Sequence, residues 1–298
     1  MSTRTFYFTI FLSIAFSFIS FWDHPFMNYT KEFVVLVHEI CHAIAALLTG
    51  GEVRNITIHG NQSGQTIAIP SSIRGSFLFV VSAGYLGTAL IGAVLLYRGL
   101  IGNKTKSTLI IFGIIVFFIT LKYANVGEFT YTVGIAWSIA ILFISFLGKQ
   151  ISSIFLVFLG TTFSLYSIYD LSDFTDSIHQ TDAGILAYWL TGYNSSQDLS
   201  PPASVLILGY LIAITWSMMG IGIIYTYVKR GIFHSEEEHY ASESANGTNI
   251  LPGDFQEMFP GELTPEVVDW FLSKGLDLNG RPLSGELVDG IQKDSEMS

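Results

Sequence analysis

The chain is punctuated by apolar stretches of about the length that crosses a bilayer as a helix, roughly 20 residues. No other feature restricts its fold so strongly. The stretches run at 5–22, 29–49, 75–97, 107–123, 130–147, 151–169 and 203–228. Backbone groups in hydrocarbon find no water to bond, so such segments must be helices that satisfy themselves internally. The pattern predicts an all-α polytopic membrane protein of about seven transmembrane helices, set in a lipid bilayer. Half of the 298 residues are hydrophobic and 13% are charged, which fits a polytopic chain better than a soluble one. Trp22-Asp23-His24-Pro25 follows the first stretch where a small-x-small cleavage pattern would stand. That favours a retained anchor over a removed signal.

Charge divides the chain unevenly. Residues 229–298 hold 5 Lys+Arg against 14 Asp+Glu, net −9, which leaves −1 for the rest. The expected organisation is a membrane-embedded domain at 1–230, a disordered linker at 231–250 and an acidic soluble C-terminal tail at 251–298. The linker, with SEEEHYASESANGTN, is too polar to bury a core. In the tail, Thr264 as cap and Pro265 at the first helical position open one short helix. An acidic balance repels phosphates and argues against nucleic acid as a partner. Basic residues at the segment ends divide four (Arg4, Arg54, Arg74, Lys122) against seven (Lys31, Arg98, Lys104, Lys106, Lys149, Lys229, Arg230). The richer side is expected to be cytoplasmic, and the tail with it. A single cysteine, Cys41, excludes an internal disulfide. Oligomeric state is not encoded in any of these patterns.

One of the apolar stretches carries chemistry. Residues 34–48 read VVLVHEICHAIAALL, with His38-Glu39-Ile40-Cys41-His42 matching H-E-x-x-H. On a helix this spacing stacks both imidazoles on one face within reach of one Zn²⁺, and Glu39 sits where it can take a proton from bound water. A catalytic zinc needs three protein ligands and an open position, and lowers the pKa of its water to about 7. On a soluble helix the same residues could be a solvated face, but ten residues from either end of an apolar segment no such face exists. A buried polar network that only ties helices together stays open as an alternative. Cys41 is discounted as a ligand, because one residue from His42 it points about 100° away around the helix.

Three further blocks surround the motif. EVRNITIHGNQSGQTIAIP has β-branched runs on either side of Gly60-Asn61-Gln62-Ser63-Gly64, which predicts a small β-hairpin after the H-E-x-x-H helix. His59 at its tip reads as an exposed turn residue. SAGYLGTALIGA sets Gly84, Gly87, Ala89 and Gly92 on a helix, which permits close approach by a neighbour. Residues 170–202 contain Asp170, Asp173, Asp176, Asp182 and Asp198 and no Lys or Arg.

HEICHAIAALLTGGEVRNITIHGNQSGQTIA, then SAGYLGTALIGA, then LYSIYDLSDFTDSIHQTDAGILAYWLTG together resemble the intramembrane zinc metalloproteases of the site-2 protease type, and more closely their M50B-like branch. The resemblance implies a Zn²⁺ enzyme that hydrolyses peptide bonds of membrane-associated protein substrates within the bilayer. It also implies that the hairpin offers an edge strand to an unwinding substrate. Glu39 would be general base, and His38 and His42 two of the metal ligands. The third ligand departs from the usual pattern. Site-2 proteases draw it from an N-P-D-G or L-D-G aspartate, and neither motif occurs in an apolar segment here; Leu251-Pro252-Gly253-Asp254 and Leu276-Asp277 lie in the tail. The M50B-like pattern offers Tyr169-Asp170 and Thr181-Asp182-Ala183 instead. Asp182, at the start of the half-helix GILAYWLTG, is the first choice and Asp170 the alternative, although either could be a plain capping aspartate. A non-catalytic relative acting as a binding or regulatory factor is the second functional reading. A metal-ion carrier ranks last, because 107–121 and 133–147 lack the His and Asp such a path requires.

Overall fold

A computed structural model of the protein describes residues 3–73, 75–169, 181–193 and 201–245. Along the chain come α1 (Thr3–Ser20), a 3₁₀ turn (Pro25–Met27), α2 (Asn28–Leu48), β1 (Glu52–Ile58), β2 (Gly64–Ile69) and α3 (Ser76–Ile101). Then follow α4 (Thr105–Tyr123), α5 (Phe129–Ile144), α6 (Lys149–Tyr169), α7 (Asp182–Thr191) and α8 (Ala203–Ala245). The chain divides into two compact units, Met1–Phe233 and His234–Ser298. The elements from α1 to the apolar part of α8 make up the first.

Among the described residues, four helices suffice by length and composition to cross a membrane: α3, α4, α6 as far as Ser167, and α8 as far as Ile232. The helices of the first two apolar stretches form a pair bent by 117°, which counts as a fifth span if taken together. The bend sits where Pro25 removes a backbone donor and opens the 3₁₀ turn, with His24 held extended before it. The stretch at 130–147 becomes α5, whose 16 residues rise about 24 Å, less than the roughly 30 Å of a hydrocarbon core. Residues 231–245, expected as linker, are helical. Once a helix is nucleated, adding residues costs little, and Glu236–Glu238, Ala241 and Ala245 are compatible with it. The tail at 251–298, its short helix and Asp170 lie outside the described residues.

The helix with the H-E-x-x-H motif is the centre of the packing. Fifteen of its 21 residues are buried, and it touches α3, both strands, α5 and α6. Its apolar side chains pack into the core, where Phe33, Val34, Leu36, Val37, Ala43 and Ala46 are fully enclosed, and Lys31, Glu32, Glu39 and His42 are buried with them. Beside it α3 and α6 lie close, because glycines stand where they cross. A Cβ on Gly92 would come 2.8 Å from the Ser164 nitrogen, and one on Gly160 would collide with the Leu96 backbone.

The hairpin forms directly after α2. β1 and β2 pair antiparallel with Ile56 opposite Thr66 and Ile58 opposite Gly64, and the register slips between Val53 and Asn55. That bulge puts both Val53 and Ile56 on the buried face, which strict alternation would not allow. Across β1 from β2, the Ile58 N–H donates to the Thr130 hydroxyl of α5 at 2.8 Å.

Candidate metal centre

His38 and His42 stand one turn apart on α2, with ring centroids separated by 4.8 Å and planes turned by 73°. The third group arrives from α7. The Thr181 hydroxyl accepts from the Gly184 N–H at 3.3 Å and so caps this helix. Asp182 is then its first residue, where a helix N-terminus favours a carboxylate. Its Oδ2 lies 3.0 Å from His38 Nε2 and 3.1 Å from His42 Nε2.

One hydrogen of an imidazole is placed by its far side. His42 Nδ1 lies 2.7 Å from the buried Val80 carbonyl oxygen. A carbonyl can only accept, so Nδ1 carries a hydrogen, and in the neutral imidazole Nε2 then turns a lone pair toward Asp182. Acceptors gathered in this way repel one another unless a proton or a metal cation sits among them. The donor set is one that zinc takes, and its ligand atoms all lie within 4.8 Å of one another. A tetrahedral ion about 2.0–2.1 Å from each would space them at about 3.3 Å. Gly84 of α3 keeps the space clear, since a Cβ there would collide with Nε2 of both histidines. The His42–Val80 bond is the kind of outer contact that orients a metal-bound imidazole. The residues fit the metal.

The sequence model of the Peptidase M50B-like family matches residues 11–226, a span from α1 into α8 that contains all of this centre. The chain belongs to that family. No curated protein and no solved structure gives a match. M50 peptidases are zinc metallopeptidases, and the M50B-like match agrees with the resemblance carried by HEICH, SAGYLG and the acidic segment.

Around this M50B-like centre the other residues fall as follows. Glu39 is buried, and its Oε2 accepts a 2.7 Å hydrogen bond from the Thr66 hydroxyl of β2. Gly64 lets the hairpin lie against it; a Cβ there would stand 2.6 Å from Glu39 Oε1. Asp182 reaches both histidines, and Asp170 lies outside the described residues. Cys41 faces Gly87, whose Cβ would meet its Sγ at 2.8 Å, and is not in the metal group. His59 is exposed in the turn between the strands. The Tyr85 ring stands edge-on to His38 with centroids 4.9 Å apart. Sequence reasoning missed Val80, Tyr85 and Thr66. A backbone carbonyl such as that of Val80 leaves no mark in a sequence, and Thr66 looks like any strand threonine.

Proposed function

We propose that this M50B-like chain is an intramembrane zinc metalloendopeptidase, with His38, His42 and Asp182 as metal ligands and Glu39 as general base. The observation that carries the reading is the convergence of two Nε2 atoms and one carboxylate oxygen around the space that Gly84 leaves clear. Zinc held there supplies Lewis acidity toward a peptide carbonyl and acidifies a water to a pKa of about 7. Glu39 takes the proton of the attacking water on a carboxylate oxygen and returns it to the departing amine nitrogen. The burial of α2 keeps bulk water from the site and strengthens each of these electrostatic contacts. The substrate is a single-span or membrane-tethered protein, and β2, with β1 as its one strand partner among the described residues, offers an edge for an extended peptide to pair with. The acidic tail stands on the cytoplasmic side of the bilayer.

The decisive experiment substitutes Glu39→Gln in the full-length protein in bicelles. Zinc content is expected to stay at the wild-type level, while cleavage of a labelled single-span membrane peptide falls to background. Cleavage retained by a clean preparation would remove Glu39 from its role. A wild-type protein that holds zinc and cuts no peptide would favour the second reading, a non-catalytic binding or regulatory factor, which the missing N-P-D-G motif keeps in view.

A further inference from the structure

The carboxylate of Glu39 lies on a side of α2 that the hairpin covers, and a single hydroxyl reaches it. Thr66 Oγ1 stands 2.7 Å from Glu39 Oε2 and 3.0 Å from the Glu39 carbonyl oxygen. The hydroxyl has one hydrogen to give, and a carboxylate attracts it more strongly than a neutral carbonyl does. Among the described residues no other group hydrogen-bonds the carboxylate, and Oε1, turned toward Gly64, is left without such a bond. Strand register fixes where the hydroxyl sits. Thr66 is opposite Ile56, directly opposed residues share a face of a hairpin, and Ile56 is fully buried.

We infer that Thr66 is the positioning residue for the general base, holding one oxygen of Glu39 so that the other is free to take and return the proton. This rests on Glu39 acting as the base. An unanchored glutamate explores several rotamers, and a misdirected base slows turnover without weakening substrate binding. The anchor comes from the hairpin, so the strand that lies beside the base also orients it.

The test compares Thr66→Val, which keeps the branched shape favoured in strands and removes the hydroxyl, with Thr66→Ser, which keeps the hydroxyl. Cleavage of a labelled single-span peptide that the wild-type protein cuts is measured alongside zinc content, with Glu39→Gln as reference. Thr66→Val is expected to lower kcat by at least about tenfold with KM and zinc unchanged, and Thr66→Ser to recover most of that loss. In a Glu39→Gln background, Thr66→Val should cause no further drop. The inference is overturned if Thr66→Val keeps its kcat, if Thr66→Ser is as slow as Thr66→Val, or if the loss appears in KM or in zinc content. Should Thr66→Val not accumulate in membranes, Thr66→Ala against Thr66→Ser makes the same contrast. Failure of the underlying reading looks different: Glu39→Gln would then cleave normally, whereas an inactive Glu39→Gln beside an unimpaired Thr66→Val sinks the Thr66 inference alone.

Discussion

The two halves of the site are reached by the chain in different ways. His38 and Asp182 meet across 144 residues, through the packing of α2, α3 and α7. Glu39 meets Thr66 across 27, through the hairpin that follows its own helix. The metal half is walled by α3, itself locked to α6 by glycine contacts on both helices. On the base side β2 has β1 as its one strand neighbour among the described residues. A glycine makes room in each half, Gly84 for the imidazoles and Gly64 for the carboxylate. Metal binding and proton transfer are therefore separable by substitution, and the glycines are where to separate them.

The largest effect is expected at Gly84. A methyl group there collides with Nε2 of His38 and of His42, and the wall that carries it cannot retreat without opening the α3–α6 contact. Gly84→Ala should lower zinc affinity by about 10–100-fold, the range seen when the surroundings of metal ligands are disturbed, and cleavage should fall with it. Elemental analysis of the purified protein after dialysis against a buffered zinc series measures this. Full zinc occupancy in Gly84→Ala would show that the imidazoles have freedom to move, and the contrast between the halves would lose its rigid member.

Gly64 comes next. Its Cβ would stand 2.6 Å from Glu39 Oε1 and 2.8 Å from Val35 Cγ1, so the strand or the carboxylate must shift. A displacement on the order of 1 Å at a reacting group costs about 10²-fold in rate. Gly64→Ala should show that loss in kcat with zinc content unchanged. If zinc is lost as well, the base half is not independent of the metal half and the division fails.

The same division explains what could be read before the fold was known. His38, Glu39 and His42 are legible because helical periodicity alone puts i and i+4 on one face, whatever surrounds them. Asp182 could be named only beside Asp170, since a carboxylate 140 residues away is chosen by helix packing and not by spacing. Gly84 stood out as a small residue, but whether it faced a helix or a pair of imidazoles depended on how α3 docks. Thr66 needed the register of the hairpin, and that register contains a bulge no turn signal announces. The apolar stretches located the long helices well. They could not reveal that the chain bends by 117° between the first two, at Pro25, or that α5 is shorter than a span.

The smallest effect should come from another glycine facing α2. Gly60 lies in the turn between the strands, above Glu32, seven residues before Glu39 and so on nearly the same side of the helix. A Cβ there would find only Glu32 Oε1, at 3.7 Å, an ordinary contact. The two carboxylates differ in their fit: Oε2 of Glu39 is held by Thr66, whereas Oε2 of Glu32 is buried without a hydrogen-bond partner. If tight seating under the hairpin is what matters for the base, a methyl group over the loosely seated Glu32 should be silent. Gly60→Ala should shift stability by no more than about 0.5 kcal/mol, with any gain arising from a less flexible unfolded chain, and leave kcat and zinc content unchanged. Thermal unfolding in detergent, run with the cleavage assay, reads both. A kcat loss in Gly60→Ala as deep as that in Gly64→Ala would mean that the hairpin acts as one lever on α2, and that the special role given to the Glu39 contact belongs to the whole strand pair.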